Sequence, residues 1–198
     1  MKPETKELLK EALNKNPLFV FAMQQEAADE FISKNVLITG IGKVNAAYSL
    51  TKRLAQSPKP SIIVNLGSGG SQVFKTDEVV CCTTFVQRDM DATALGFKKY
   101  QTPFSEEPPL LVYGYAADLL QTGICGSGDH FEANHTTADY NIVDMEAYAI
   151  ALIALREQIP FLCLKYISDG ADGRAGSDWQ AALHKAAAKL KEEIIRLG

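Results

Sequence analysis

Residues 61–70 read SIIVNLGSGG, an apolar run that opens directly into four small residues. A strand without polar alternation is typical of a sheet that is covered on both faces. Comparable apolar runs occur at residues 18–23, 35–39 and 161–168, and segments with helical periodicity separate them. Strands that alternate with helices in this way indicate an α/β fold.

The rest of the chain continues this alternation. Helices are predicted at residues 3–15, 25–32, 44–56, 147–157 and 177–197, and further strands at 77–86, within 110–128 and at 142–145. Between residues 88 and 109 the periodicity fails. An irregular stretch of about 20 residues in a compact domain is commonly a functional lid or an interface loop, and a plain surface excursion is the alternative.

Composition narrows the function classes. A chain of 198 residues predicts one domain. The formal net charge of −4 provides no overall basic field for nucleic acid. No apolar run reaches 18 residues and the N-terminus has no apolar signal core, so we expect a cytoplasmic protein that does not span a membrane. Its cysteines lack metal-site spacing, which predicts buried reduced thiols and neither a metal nor a cofactor: Cys81, Cys82, Cys125 and Cys163.

Polar residues follow several of the predicted strands, where α/β proteins bind their ligands. Asp169 follows an apolar run, and a partly desolvated carboxyl group there can act as a general acid, although it can also cap the next segment. Glu26 and Glu146 each open a predicted helix; a carboxylate there suits the helix dipole, and Glu146 could also accept hydrogen bonds from a sugar diol. Ser68 lies among glycines whose N–H groups could approach a phosphate or a water.

Seven segments in a fixed order resemble the nucleoside phosphorylase and nucleosidase family, and most closely its 5'-methylthioadenosine/S-adenosylhomocysteine nucleosidase branch. They are FAMQQE, VLITGIGKVNAAYSL, IIVNLGSGG, QRDMDATALGF, SGDHF, VDMEAYAIA and YISDGAD. The resemblance implies a trimmed three-layer α/β/α domain with a central mixed sheet over residues 17–198, preceded by a helical extension at 1–16. Phe21 departs from the family pattern, which has glycine there.

The resemblance also implies roles for individual residues. Asp169 would protonate purine N7, with Ser168 positioning its carboxyl group. Glu26 would orient or deprotonate the attacking water, with Ser68 nearby. The remaining positions would bind substrate. Glu146 would contact the ribose hydroxyls, Met145 would lie under the sugar and Phe131 would stack on the base. In a homodimer, a loop would complete the neighbouring subunit's pocket with three residues: Leu95, Phe97 and Pro103.

These roles predict hydrolysis of the N-glycosidic bond of a purine nucleoside, with a 5'-modified adenine nucleoside as the expected small-molecule substrate. A phosphate-dependent purine nucleoside phosphorylase is the first alternative. Phosphate binding usually needs arginine, and Asn65 occupies the position where the family's phosphorylases carry one, although Arg88 or Lys43 could still contribute a cation. The second alternative is a non-catalytic nucleoside-binding protein.

Overall fold

The computed structural model describes residues 3–198. Five helices lie in this part of the chain: α1 (Pro3–Lys15), α2 (Gln24–Ala27), α3 (Lys43–Gln56), α4 (Ala147–Arg156) and α5 (Ala175–Leu197). Eight strands lie between them: β1 (Pro17–Phe21), β2 (Val36–Ile38), β3 (Ile62–Gly70), β4 (Val79–Gln87), β5 (Leu110–Val112), β6 (Gln121–Ser127), β7 (Ile142–Asp144) and β8 (Phe161–Asp169).

All eight strands belong to one mixed sheet. Strand β3 is parallel to β1 and β8, whereas β7 is parallel to β6 and antiparallel to β3. The pairings β3–β8–β4–β6–β7 return to β3, so five strands form a closed ring. The β3–β7 pairing consists of Gly70 opposite Val143, at the ends of the two strands where the candidate residues lie.

Successive residues of the central strands face two separate apolar cores, as the pleat of a β-strand requires. Leu18 and Val20 on β1 pack with α3 and α4, whereas Phe19 and Phe21 pack with α1, α2 and α5. Helices therefore cover both faces of the sheet. The predicted α/β class and the mixed central sheet are confirmed.

Two predicted elements end four or more residues from where the sequence places their ends. The helix expected at residues 25–32 ends at Ala27, because Ala28 has φ of 44°, which an α-helix cannot accommodate. Strand β3, expected to end at residue 66, continues through the small residues to Gly70. A Cβ on Gly70 would lie 2.6 Å from Oδ1 of Asp169, so glycine here permits a close approach of two strands.

The N-terminal helix begins and ends where the sequence predicts, and it contributes to the core. Leu9 and Leu13 of α1 are buried in the same cluster as Leu190 of α5. The domain division at residue 16 stays a prediction. The loop at residues 88–109 is irregular apart from one 3-10 turn at Thr93–Leu95, as expected. None of the helices in residues 3–198 is long and apolar enough to cross a membrane.

Candidate active site

A cleft opens at the ends of β3, β7 and β8, and it brings together residues from distant parts of the sequence. Its predicted members are Glu26, Ser68, Phe131, Met145, Glu146, Ser168 and Asp169. Of these, Glu26, Glu146 and Asp169 are all nearly fully buried. Three carboxyl groups removed from bulk water in one cleft are unusual, because burial of an unpaired charge is unfavourable. Each must therefore be explained by its own contacts.

The two carboxylate oxygens of Glu26 differ in their hydrogen bonding. Its Oε1 accepts hydrogen bonds from Ser68 N (2.9 Å) and Ser68 Oγ (2.7 Å). The indole Nε1 of Trp179 in turn donates to Ser68 Oγ at 3.0 Å, which orients the hydroxyl toward Glu26. Within residues 3–198 no group donates a hydrogen bond to Oε2 of Glu26, although this atom is buried. The carboxylate thus has an acceptor available for a water or a ligand in the cleft.

Asp169, the last residue of β8, is positioned by its immediate neighbours. Oδ2 accepts a hydrogen bond from Ser168 Oγ (2.7 Å), and Oδ1 accepts one from the backbone N–H of Ala171 (2.9 Å). Burial raises the pKa of Asp169, and these two hydrogen bonds only partly oppose it. A carboxyl group that tends to keep its proton, in a cleft, is suited to donate that proton to a ligand.

Glu146 is the residue that precedes α4, and it reaches across the cleft to α3. Its Oε1 accepts a hydrogen bond from the backbone N–H of Gly42 at 2.7 Å. Burial raises the pKa of Glu146 to about 8, and the negative charge of Asp144 adds to this increase. The contact with Gly42 satisfies one oxygen, so the carboxyl group has further capacity to bind hydroxyl groups of a ligand.

Beneath Glu146 lies a buried ion pair that sequence reasoning missed. Lys165 Nζ is 2.7 Å from Asp144 Oδ2, and both side chains are 2% exposed. Burial alone would raise the pKa of Asp144, but the Lys165 ammonium holds it below its ordinary value. One signal was present in the sequence, because Lys165 is the sole charged residue in the apolar run at 161–168.

Phe131 and Met145, which the sequence predicts as substrate-binding residues, also line the cleft. The ring of Phe131 is half exposed and lies edge-on to Trp179, with 6.5 Å between the ring centroids. Leu95, Phe97 and Pro103 do not line the cleft of their own chain. Their predicted contact is with a neighbouring subunit, so the single chain does not test it. Trp179, Ile41 and Met23 also line the cleft and were not predicted.

The three positions considered for phosphate differ in their surroundings. Asn65 is buried between strands, where its Nδ2 donates to Val20 O at 3.2 Å, and it does not line the cleft. Lys43 forms ion pairs with Asp89 and Asp129. Arg88 does line the cleft, but its guanidinium already donates to the backbone carbonyl of His130 and to Glu132.

Most of the sequence matches a family model. The model described as "Phosphorylase superfamily" matches residues 31–197. The 5'-methylthioadenosine/S-adenosylhomocysteine nucleosidase of Actinobacillus succinogenes is 33% identical over 180 residues, which cover 81% of this chain and 78% of the relative. The protein of the same name from Staphylococcus aureus is 32% identical over 186 residues, covering 83% and 81% of the two chains.

Solved structures share the architecture. The nucleosidase from Neisseria meningitidis in complex with methylthio-immucillin-A superposes with a TM-score of 0.79 at 23% identity, covering 92% of this chain and 98% of that one. The native futalosine hydrolase of Helicobacter pylori gives a TM-score of 0.80 at 19% identity, with coverages of 92% and 96%. At these identities the likeness establishes the fold alone.

Proposed function

Because the chain belongs to the phosphorylase superfamily, we propose that it is a nucleosidase that hydrolyses the N-glycosidic bond of a 5'-substituted adenine nucleoside. The curated relatives that carry the nucleosidase name support this reaction. The observation that carries it is the placement of two different carboxyl groups in one cleft. Asp169 has a raised pKa, whereas Glu26 accepts two hydrogen bonds and keeps a free oxygen.

Asp169 serves the leaving group. As the bond between C1' and N9 breaks, its electrons move into the purine, and proton transfer from Asp169 to N7 neutralises the developing charge. Ser168 fixes the orientation of the carboxyl group through its 2.7 Å hydrogen bond. Phe131 provides an aromatic surface for the base.

Glu26 serves the nucleophile. A water bound at Oε2 attacks C1', its oxygen forms the new bond to the sugar, and its proton passes to Glu26. Loss of the base leaves positive charge on the sugar, as in other glycoside hydrolyses. The carboxylate of Glu26 stabilises that charge electrostatically. Glu146, whose pKa burial raises to about 8, adds to this stabilisation in its ionised form and accepts hydrogen bonds from the ribose hydroxyls.

The surroundings of Asn65 and Lys43 favour water over phosphate. Asn65 is turned into the sheet, and the ammonium group of Lys43 is paired with two aspartates. Arg88 is the cation that would have to bind phosphate if the chain were a phosphorylase.

We expect purified protein to release adenine from 5'-methylthioadenosine at the same rate with and without inorganic phosphate. The co-product should be the free reducing sugar, which chromatography distinguishes from a sugar 1-phosphate. Strict dependence on phosphate would establish the phosphorylase. Binding of the nucleoside without release of adenine would establish the non-catalytic alternative.

We further propose a cytoplasmic homodimer in which the loop at residues 88–109 lies near the partner's cleft. This loop exposes Leu95 and Phe104, and the adjoining α3 exposes Val44 and Tyr48. Large exposed apolar groups of this kind are typical of interfaces. All four cysteines are buried free thiols, which suits a reducing compartment. An apolar loop from the partner would also favour a methylthio group over a charged 5' substituent.

Sedimentation velocity at micromolar concentration should therefore give a dimer. Replacement of Phe104 or Tyr48 by Asp should shift it toward the monomer, because each change places a charge in the apolar contact. Ile195→Asp, at an apolar residue of α5 that is about as exposed as Tyr48, is the control and should leave the dimer intact. A fully active wild-type monomer would contradict this proposal.

A further inference from the structure

We propose that Lys165 and Asp144 act as a positioning pair for Glu146, fixing the start of α4 and setting the charge of the carboxyl group that receives the ribose. The inference rests on the proposed function, because it concerns the same nucleoside site. The buried ion pair takes no part in the hydrolytic steps themselves, so its role would be to position Glu146.

Asp144 organises the backbone on both sides of Glu146. Its Oδ2 accepts a hydrogen bond from Ala147 N at 2.9 Å in addition to the ion pair, and its Oδ1 accepts one from Ser127. Ser127 Oγ then accepts a hydrogen bond from Tyr148 N at 2.8 Å. The first two N–H groups of α4 are thereby bound, and Glu146 lies between Asp144 and these anchored residues. Its side chain is thus directed from a fixed backbone.

Stability alone gives a weak reason for this pair. Removing two charges from water is unfavourable, and well-packed apolar residues often replace a buried ion pair without loss of stability. Lys165 shares its face of β8 with Cys163 and Ile167, which are buried in an apolar cluster, so an apolar side chain would fit the pattern of the strand there. The ammonium group keeps its proton because Asp144 raises its pKa strongly against the effect of burial.

The charges around Glu146 come from several elements. Asp144 on β7 and Glu26 on α2 disfavour its ionised form, whereas Lys165 on β8 and the N–H of Gly42 before α3 favour it. The other nearby cations have partners of their own, Lys43 with Asp89 and Arg88 with Glu132. Lys165 is the cationic side chain whose charge lowers the pKa of Glu146, and its own partner Asp144 offsets that effect.

The two members of the pair should therefore have opposite effects. Asp144→Asn removes a repelling negative charge and leaves Lys165 facing Glu146, so Glu146 should ionise at lower pH. Lys165→Met removes the attracting charge, so Glu146 should ionise at higher pH. Each shift should be about one pH unit, given the strength of charge interactions in a partly buried site. A pair whose charges do not act on Glu146 would not produce shifts of opposite sign.

The test measures binding and requires no turnover. The probe is the 7-deaza analogue of 5'-methylthioadenosine, in which carbon replaces N7, so the base cannot be protonated there and is not released. Its Kd is titrated calorimetrically between pH 5 and 9.5. Wild-type affinity should rise with pH as Glu146 ionises, and the midpoint of this rise should move down in Asp144→Asn and up in Lys165→Met.

Two further variants make the result decisive. Lys191→Met removes the more exposed ion pair with Glu30 and should leave the midpoint unchanged. The double variant Asp144→Asn/Lys165→Met removes both charges of the pair, so neither member is left buried without the other. Thermal unfolding shows whether Lys165→Met folds. If it does not, the double variant is compared with Asp144→Asn, and the difference gives the effect of Lys165. The midpoint of the double variant should then be higher than that of Asp144→Asn. Equal midpoints, or shifts of the same sign, would overturn the positioning role. Failure of wild-type protein to bind the probe would instead overturn the proposed function.

Discussion

Asp169→Asn should reduce kcat for adenine release by about 10²- to 10⁴-fold, which corresponds to roughly 3–5 kcal/mol of transition-state stabilisation. The amide oxygen can still accept the hydrogen bond from Ala171 N–H, and the amide nitrogen can donate to Ser168 Oγ, so the local structure should persist, but the amide has no acidic proton to transfer to N7. Thermal unfolding should be nearly unchanged, because the substitution is close to isosteric. Single-turnover release of adenine is the measurement.

The pH profile provides an independent check of the acid. Burial raises the pKa of Asp169, so its proton is retained to higher pH than in an ordinary aspartate and lost as pH rises further. Activity should fall along that alkaline limb, and the limb should disappear in Asp169→Asn. Asp172→Asn, at a more exposed neighbour, is the matched control. If Asp169→Asn kept activity within a few-fold and Asp172→Asn lost it, Asp172 would be the acid.

Glu26→Gln should lower kcat by a similar factor, about 10²- to 10⁴-fold, because it removes a general base. The amide oxygen can still accept both hydrogen bonds from Ser68. The amide nitrogen then occupies the position of the free Oε2, and it cannot take a proton from water. Since this interaction is made in the transition state, binding of the 7-deaza nucleoside should stay within a few-fold of wild type.

The Glu146→Gln variant is the comparison for Glu26→Gln, because it removes a substrate ligand and not a general base. The ribose hydroxyls contact Glu146 before and during the reaction. Above about pH 8, where Glu146 is ionised, a charge-assisted hydrogen bond contributes about 1.5–3 kcal/mol, so binding itself should weaken in Glu146→Gln. Calorimetry and turnover measured on both variants distinguish the two roles. Equal losses of binding and turnover in Glu26→Gln would make Glu26 a substrate ligand or a structural residue.

Much of the site was predictable because it depends on where strands end. Apolar runs place the ends of β1 and β8 to within two residues, and the polar residues that follow such runs meet at one edge of the sheet without any knowledge of long-range packing. The family resemblance then distinguished the acid, Asp169, from the residue assigned to the water, Glu26. Those role assignments remain predictions that the variants above test.

What escaped prediction depends on contacts between distant segments. The periodicity of residues 25–32 does not reveal that Ala28 has a positive φ, which ends α2 early. Glycines usually weaken strands, yet β3 needs them because β7 and β8 approach so closely. The 2.7 Å contact between Asp144 and Lys165 joins residues 21 positions apart on different strands, and no local pattern specifies it.

The hydrogen bond between Trp179 and Ser68 has a practical consequence. Trp179 is the only tryptophan in the chain, and it borders the cleft. Indole fluorescence of the unlabelled protein therefore originates at a single position, one hydrogen bond from Ser68 and two from Glu26. Emission is sensitive to the polarity and hydrogen bonding of the ring, so the protein carries an intrinsic optical reporter of occupancy, with which stopped-flow mixing can time substrate entry separately from bond cleavage.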